Sequence, residues 1–164
     1  MEFRPMRRKH QELTHDICIE ILKNGTAGVL SVHGDGGYPY GVPISYAYKD
    51  GRIFFHSAVM GHKIDALHRN EKCAFTVIAQ DDVHPDEYTT YFRSVIAFGR
   101  MHIFDKKEDI IEGLRILGER YNPGDQHGLQ HEIDKNISHV AVLCMEIEQL
   151  TGKEAIELVR TRSN

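Results

Sequence analysis

Residues 91–104 read Tyr-Phe-Arg-Ser-Val-Ile-Ala-Phe-Gly-Arg-Met-His-Ile-Phe, a run of aromatic and β-branched side chains with one glycine, Gly99, set inside it. That composition favours a strand, and the run is long for one. Glycine weakens a strand interior unless a bulge or a close backbone approach requires it, so Gly99 marks the point where the strand bends. A long strand bent in its middle lets a sheet curl and close on itself. The expectation is therefore a mainly β fold of barrel type.

The flanking sequence supplies the other strands. Residues 72–79 form a fourth strand, joined to 91–104 by a polar connection, 81–87, that contains Pro85. Three more runs precede it: 28–32, then the turn Gly34-Asp35-Gly36-Gly37, then 38–48, then Asp50-Gly51 and 52–57. In the long run 38–48 the period of two puts Val42, Ile44, Tyr46 and Tyr48 on one face, with Pro43, Ser45 and Ala47 on the other. Pro43 offers no N–H to a ladder and belongs at an edge or bulge. Residues 140–150 make the sixth strand. Before the sheet, Thr14 caps a helix carrying Ile17, Ile21 and Leu22, with Leu13 placed to staple against Cys18 and Asn24-Gly25 ending it. A short helix over 61–69 turns Ile64, Leu67 and His68 inward. One helical excursion, opening on Asp105-Lys106-Lys107-Glu108 as a capping box and stopped by Asn122-Pro123-Gly124, separates the fifth and sixth strands.

Composition bounds the function. The chain of 164 residues fits one domain, 1–164, and is long enough to bury a core without disulfides or a structural metal. Its charged fraction of 27%, apolar fraction of 41% and formal charge of −4 give no electrostatic reason to expect nucleic acid. Arg7, Arg8 and Lys9 are the one basic cluster and read as a solvated leader. Cys18, Cys73 and Cys144 are odd in number and widely spaced, as buried core thiols in a reducing cytoplasm would be. Charges stand where a signal peptide needs an apolar run, and no stretch is long enough to span a membrane.

The segment Phe54-Phe55-His56-Ser57-Ala58-Val59-Met60-Gly61-His62-Lys63 runs from a strand end through a short loop into a helix start. Free backbone N–H groups and the positive end of the helix dipole face such a loop and attract an anion. Ser57 adds a hydroxyl, Lys63 a charge, and Gly61 close backbone approach. On spacing alone the segment reads first as an ordinary strand-to-helix turn with an exposed lysine, and it is neither a Rossmann nor a P-loop fingerprint. His56, alone at a strand end, likewise reads first as structural.

Five segments change that balance: MRRKHQEL (6–13), YPYGVPISYAY (38–48), FFHSAVMGHKIDALHRN (54–70), EYTTYFRSVIAFGR (87–100) and LTGKEAIE (150–157). In this order and spacing they resemble the 5-nitroimidazole-resistance branch of the pyridoxamine 5'-phosphate oxidase-like split-barrel flavoproteins. The resemblance implies a six-stranded antiparallel Greek-key split β-barrel, dimerised side by side, with flavin mononucleotide (FMN) in grooves at the subunit interface. It implies that Val42, Pro43, Ile44, Ser45 and Tyr46 line the flavin ring. His56, Ser57, Ala58, Gly61, His62 and Lys63 would surround the ribityl phosphate, Lys63 as its main charge and His56 nearest the ring as the one catalytic candidate. Arg93, Ser94 and Val95 would reach the partner subunit's flavin. The activity implied is a two-electron reduction of a nitroheteroaromatic or other flat acceptor.

The C-terminal Leu158-Val159-Arg160-Thr161-Arg162-Ser163-Asn164 lacks the Arg and His pattern with which pyridoxamine phosphate oxidase holds its substrate, which argues against that oxidase reaction. A non-catalytic flavin- or haem-binding module is the rival from another class, since His56 and Tyr46 are the only evident acid or base. His127 and His131 have the i, i+4 spacing of a metal pair, but no third ligand follows, so no metal site is expected and a solvated helix face is the reading.

Overall fold

The computed structural model describes residues 3–162. In chain order its elements are α1 (His15–Asn24), β1 (Ala27–His33), β2 (Pro39–Ser45), β3 (Ala47–Lys49), β4 (Arg52–Ala58), α2 (His62–Arg69), β5 (Lys72–His84), β6 (Thr89–Ile103), α3 (Lys107–Tyr121), α4 (Gln126–Asn136), β7 (Val140–Glu154) and α5 (Ile156–Arg162). The strands form one antiparallel sheet in the order β2-β1-β5-β6-β7-β4-β3.

The two edge strands of that sheet, β2 and β3, are the halves of the single run expected over 38–48, interrupted at Tyr46. The sheet therefore curls until its ends meet at one residue, while no ladder joins β2 to β3. Counted as one run, β2 and β3 give the six strands of a split barrel. Pro43 lies in the edge strand β2 opposite Val29, where its missing N–H is harmless. Gly99 is the bend: the β6–β7 register shifts between Phe98 and Gly99, and a Cβ at Gly99 would fall on the Glu146 carbonyl oxygen.

Two apolar layers follow from strand alternation. Leu30, Ile53, Phe55, Phe75, Val95, Leu143 and Met145 point into the barrel and are fully buried. Cys18 and Leu22 of α1 join the same interior, as do Ile64, Ala66 and Leu67 of α2. On the outer side, Phe54, Ala47 and Cys144 are covered by Leu117 of α3. Thr14 caps α1, its hydroxyl accepting the Ile17 N–H at 3.5 Å, and Leu13 and Cys18 both pack against Gly152.

Several sequence expectations are corrected. His68 is exposed, and Ala66 takes the inward place beside Leu67, because eight residues of helix present a narrower buried face than the apolar spacing suggested. The polar segment after residue 79 continues β5 to His84, since it pairs with 89–93 across a tight turn at Pro85–Glu87. The register slips between Ile78 and Gln80, so this extension is a hairpin arm standing off the barrel. The helix after β6 stops at Asn122-Pro123-Gly124 as expected, Gly124 turning the chain at φ +84°, and a second helix follows, capped by Asp125, whose carboxylate accepts the Gly128 N–H at 2.9 Å. The capping box at Asp105 does not form, as Lys106 holds the cap position without a side-chain bond. No helix among the described residues is long and apolar enough to cross a membrane.

Candidate functional site

The end of β4 carries the local chemistry. Period-two alternation puts Ser57 on the barrel side with Ile53 and Phe55, buried, and puts His56 and Ala58 on the outer side with Phe54. Gly61 then breaks the chain with φ +128°, a conformation β-carbon-bearing residues avoid, and α2 begins at His62. One residue into the helix, Lys63 turns back so that its Nζ donates to Ser57 Oγ at 2.9 Å. A cation, a hydroxyl and the first N–H groups of α2 thus converge at one turn, a donor set suited to a phosphate dianion.

The neighbouring turn closes against this one. Asp35, between β1 and β2, accepts from Arg69 at 2.6 Å and stands 3.6 Å from His62 Nε2. The His62 ring stacks on Tyr40 with centroids 4.1 Å apart. His62 is thereby held toward β2 by a carboxylate and an aromatic face. Neither Asp35 nor Tyr40 was marked by the sequence, because the two meet only when α2 folds back over β1.

Not all the expected residues meet. Lys63, Ser57, Gly61 and His62 share the α2 turn, while His56 and Ala58 face the other side of the strand. On β2, Pro43 and Ser45 are exposed, and Val42 and Ile44 pack partly against the core. Tyr46 cannot line a ring with its side chain: it is 0% exposed, its hydroxyl donates to the Leu22 carbonyl at 2.9 Å, and burial pushes its phenol far above the usual tyrosine range, which also removes it as an acid or base. The Val95 side chain is likewise 0% exposed inside its own barrel. Arg93 is half-exposed and donates to the buried Glu154 carboxylate at 3.0 Å, beside a half-buried Ser94. His127 and His131 are exposed on α4.

A residue with no sequence signal closes the seam of the barrel. Tyr121, the last of α3, accepts the Tyr46 N–H at 2.9 Å, and its hydroxyl lies 2.7 Å from the Thr26 oxygen and 3.0 Å from the Tyr46 oxygen. Arg120 beside it donates to the Asn24 and Gly25 carbonyls at the end of α1. From Tyr121 a cavity of about 560 Å³ runs under α3 and α4 to His56, Ser57 and Ala58.

The model of the pyridoxamine 5'-phosphate oxidase family matches residues 14–154. Among solved structures, the chain is similar to a candidate 5-nitroimidazole antibiotic resistance protein from Bacteroides thetaiotaomicron, with 22% identity, TM-score 0.74, and 87% of this chain and 86% of that one covered. It is also similar to a flavocytochrome from Azotobacter vinelandii, with 20% identity, TM-score 0.80, and coverage of 93% and 72%. A third is an FAD- and haem-binding protein from Mycobacterium smegmatis, with 20% identity, TM-score 0.77, and coverage of 89% and 73%. No curated protein matches the sequence.

Proposed function

The chain belongs to the pyridoxamine 5'-phosphate oxidase family, and from that premise we propose that it is an FMN-dependent reductase of flat electron acceptors, of the 5-nitroimidazole-resistance kind. The observation that carries the reading is the Lys63–Ser57 pair, 2.9 Å apart at the head of α2, a phosphate-shaped donor set where the family resemblance puts the ribityl phosphate. Lys63 supplies the charge, Ser57 and the α2 N–H groups supply directed hydrogen bonds, and Gly61 leaves the backbone open to the phosphate oxygens. His62, steadied by Asp35 and Tyr40, flanks the same turn. Exposed Pro43 and Ser45 sit on an edge strand whose outward N–H and C=O groups have no neighbouring strand, which suits them to the polar rim of a flavin ring. FMN when bound supplies two-electron transfer to an acceptor; the chain's part is to hold it, leave one face open and exclude water.

A second copy of the chain completes the site in this reading. Val29, Ile78, Ile96 and Phe98 are exposed on the outward side of β1, β5 and β6, an unusual apolar face for a strand surface. Arg93 and Ser94 border it and are the residues assigned to the partner's flavin. Three buried free thiols support a reducing, cytoplasmic setting.

The test is anaerobic. FMN-loaded protein, chemically reduced, freed of excess reductant and mixed at three or more equivalents with a 5-nitroimidazole, is expected to reoxidise as the nitro absorbance falls and the amine appears by mass spectrometry, each flavin giving two of the six electrons and the nitro oxygens leaving as water; an unchanged nitro compound overturns the reductase assignment. A haem-binding protein is the second reading, because His56 and His139 line one cavity. A Soret band in protein expressed with haem separates the two.

A further inference from the structure

We infer that the cavity under the α3–α4 hairpin is the acceptor site, and that it selects neutral or cationic flat heteroaromatics against carboxylates and phosphates. This rests on the flavin reading above and deepens it. Position is the first argument. The cavity begins at Tyr121, whose hydroxyl holds the Tyr46 main chain directly after Ser45 of β2, and it ends at His56, Ser57 and Ala58 of β4. It therefore runs between the two strand ends assigned to the flavin and adjoins the Lys63 turn at Ser57.

Shape is the second. Leu114, Leu117, Leu129, Ile133 and Val140 give it apolar walls, and 560 Å³ admits a one- or two-ring molecule with room to stack. Two glycines fix the walls: a Cβ at Gly113 would meet Val142 at 2.5 Å, and one at Gly118 would collide with Leu129, so α3 lies close on both the sheet and α4.

Charge is the third. No lysine or arginine lines the cavity, Lys63 standing behind Ser57 at 2.9 Å, whereas Glu132 does, its Oε2 accepting from Asn136 Nδ2 at 2.9 Å, with His56, Ser57, Tyr121 and His139 as the remaining polar groups. An anionic substituent entering here leaves water for apolar walls and a like charge. Haem propionates and the pyridoxine phosphates meet the same penalty. A ring N–H or amino group instead finds Glu132 and the Asn136 carbonyl oxygen as acceptors.

Calorimetry with 2-methyl-5-nitroimidazole and its N-acetic acid derivative, on FMN-free and FMN-loaded protein, reads the charge preference. The neutral probe is expected to bind about tenfold or more tightly than the acid. Leu114→Trp, which fills the cavity, should weaken the neutral probe by about the same factor with FMN affinity and urea midpoint unchanged. Glu132→Lys should narrow or reverse the preference. Equal binding of both probes, an indifferent Leu114→Trp, or a filled cavity that loses FMN as well each overturns the inference, the last by making the space the flavin's own. Protein that takes no FMN yet keeps the neutral preference defeats the flavin reading while the cavity's selectivity stands.

Discussion

Single atoms decide the seam of this barrel. The Tyr121 hydroxyl meets one main-chain N–H and two carbonyls where β2 ends, and nothing else in α3 reaches them. Tyr121→Phe is expected to cost about 1–2 kcal/mol in urea unfolding, because it strips a hydrogen bond from groups that packing half-buries. Cys73 sets a pH dependence. Burial, helped by the nearby Glu148 carboxylate, pushes its thiol up to about 12. In the unfolded chain a thiol ionises near pH 8.5, roughly, so the folded form binds its proton more tightly. That contribution is complete below the unfolded value and is lost as pH rises toward 12. Urea midpoints should fall from pH 9 upward, with a shallower slope in Cys73→Ala; identical slopes would contradict the thiol's part. Lys63→Ala belongs at this scale as well. Loss of a charge-assisted phosphate contact should weaken FMN binding by on the order of 1.5–3 kcal/mol, read from flavin fluorescence, and unchanged affinity takes Lys63 out of the site.

At the scale of elements, bends and breaks matter more than lengths. β6 can serve both halves of the barrel only because Gly99 lets the Glu146 carbonyl into the space of a side chain. Gly99→Ala should cost about 3 kcal/mol and broaden the unfolding transition, because the added methyl meets the Glu146 carbonyl. Alternation along β4 has a chemical consequence: His56 and Ser57 both line the cavity under α3 and α4, but only Ser57 also meets Lys63. The residues expected around a phosphate thus lie on both faces of one strand, with Ser57 common to the Lys63 turn and the cavity.

At the scale of the whole molecule, Val29, Ile78, Ile96 and Phe98 form an exposed apolar face on the outward side of β1, β5 and β6. Ile96 and Phe98 alternate outward on β6 with inward Val95 and Ala97, so the strand is apolar on both sides, the pattern of one that is covered twice. This is the face on which the proposed dimer would place its second copy. Ile96→Asp is expected to convert a dimer to a monomer in sedimentation velocity and to lower FMN retention together with it. A wild-type monomer that binds FMN fully would remove the interface from the site.

Sequence alone determined what is local: the Thr14 cap, the period-two faces of 38–48, the bulge at Gly99, the edge position of Pro43, and the loop from Phe54 to Lys63. Each depends on backbone preference or on side-chain period over a few residues, and both are written in neighbouring positions. Tertiary structure decided the rest. Tyr46 and Val95 are buried because other strands curl over them, Asp35 and Tyr40 reach His62 because α2 returns across β1, and Tyr121 meets Tyr46 across 75 positions of chain. Such contacts depend on how far the sheet curls before its edges meet, a sum of twist, bend and packing over the whole chain that no single segment encodes.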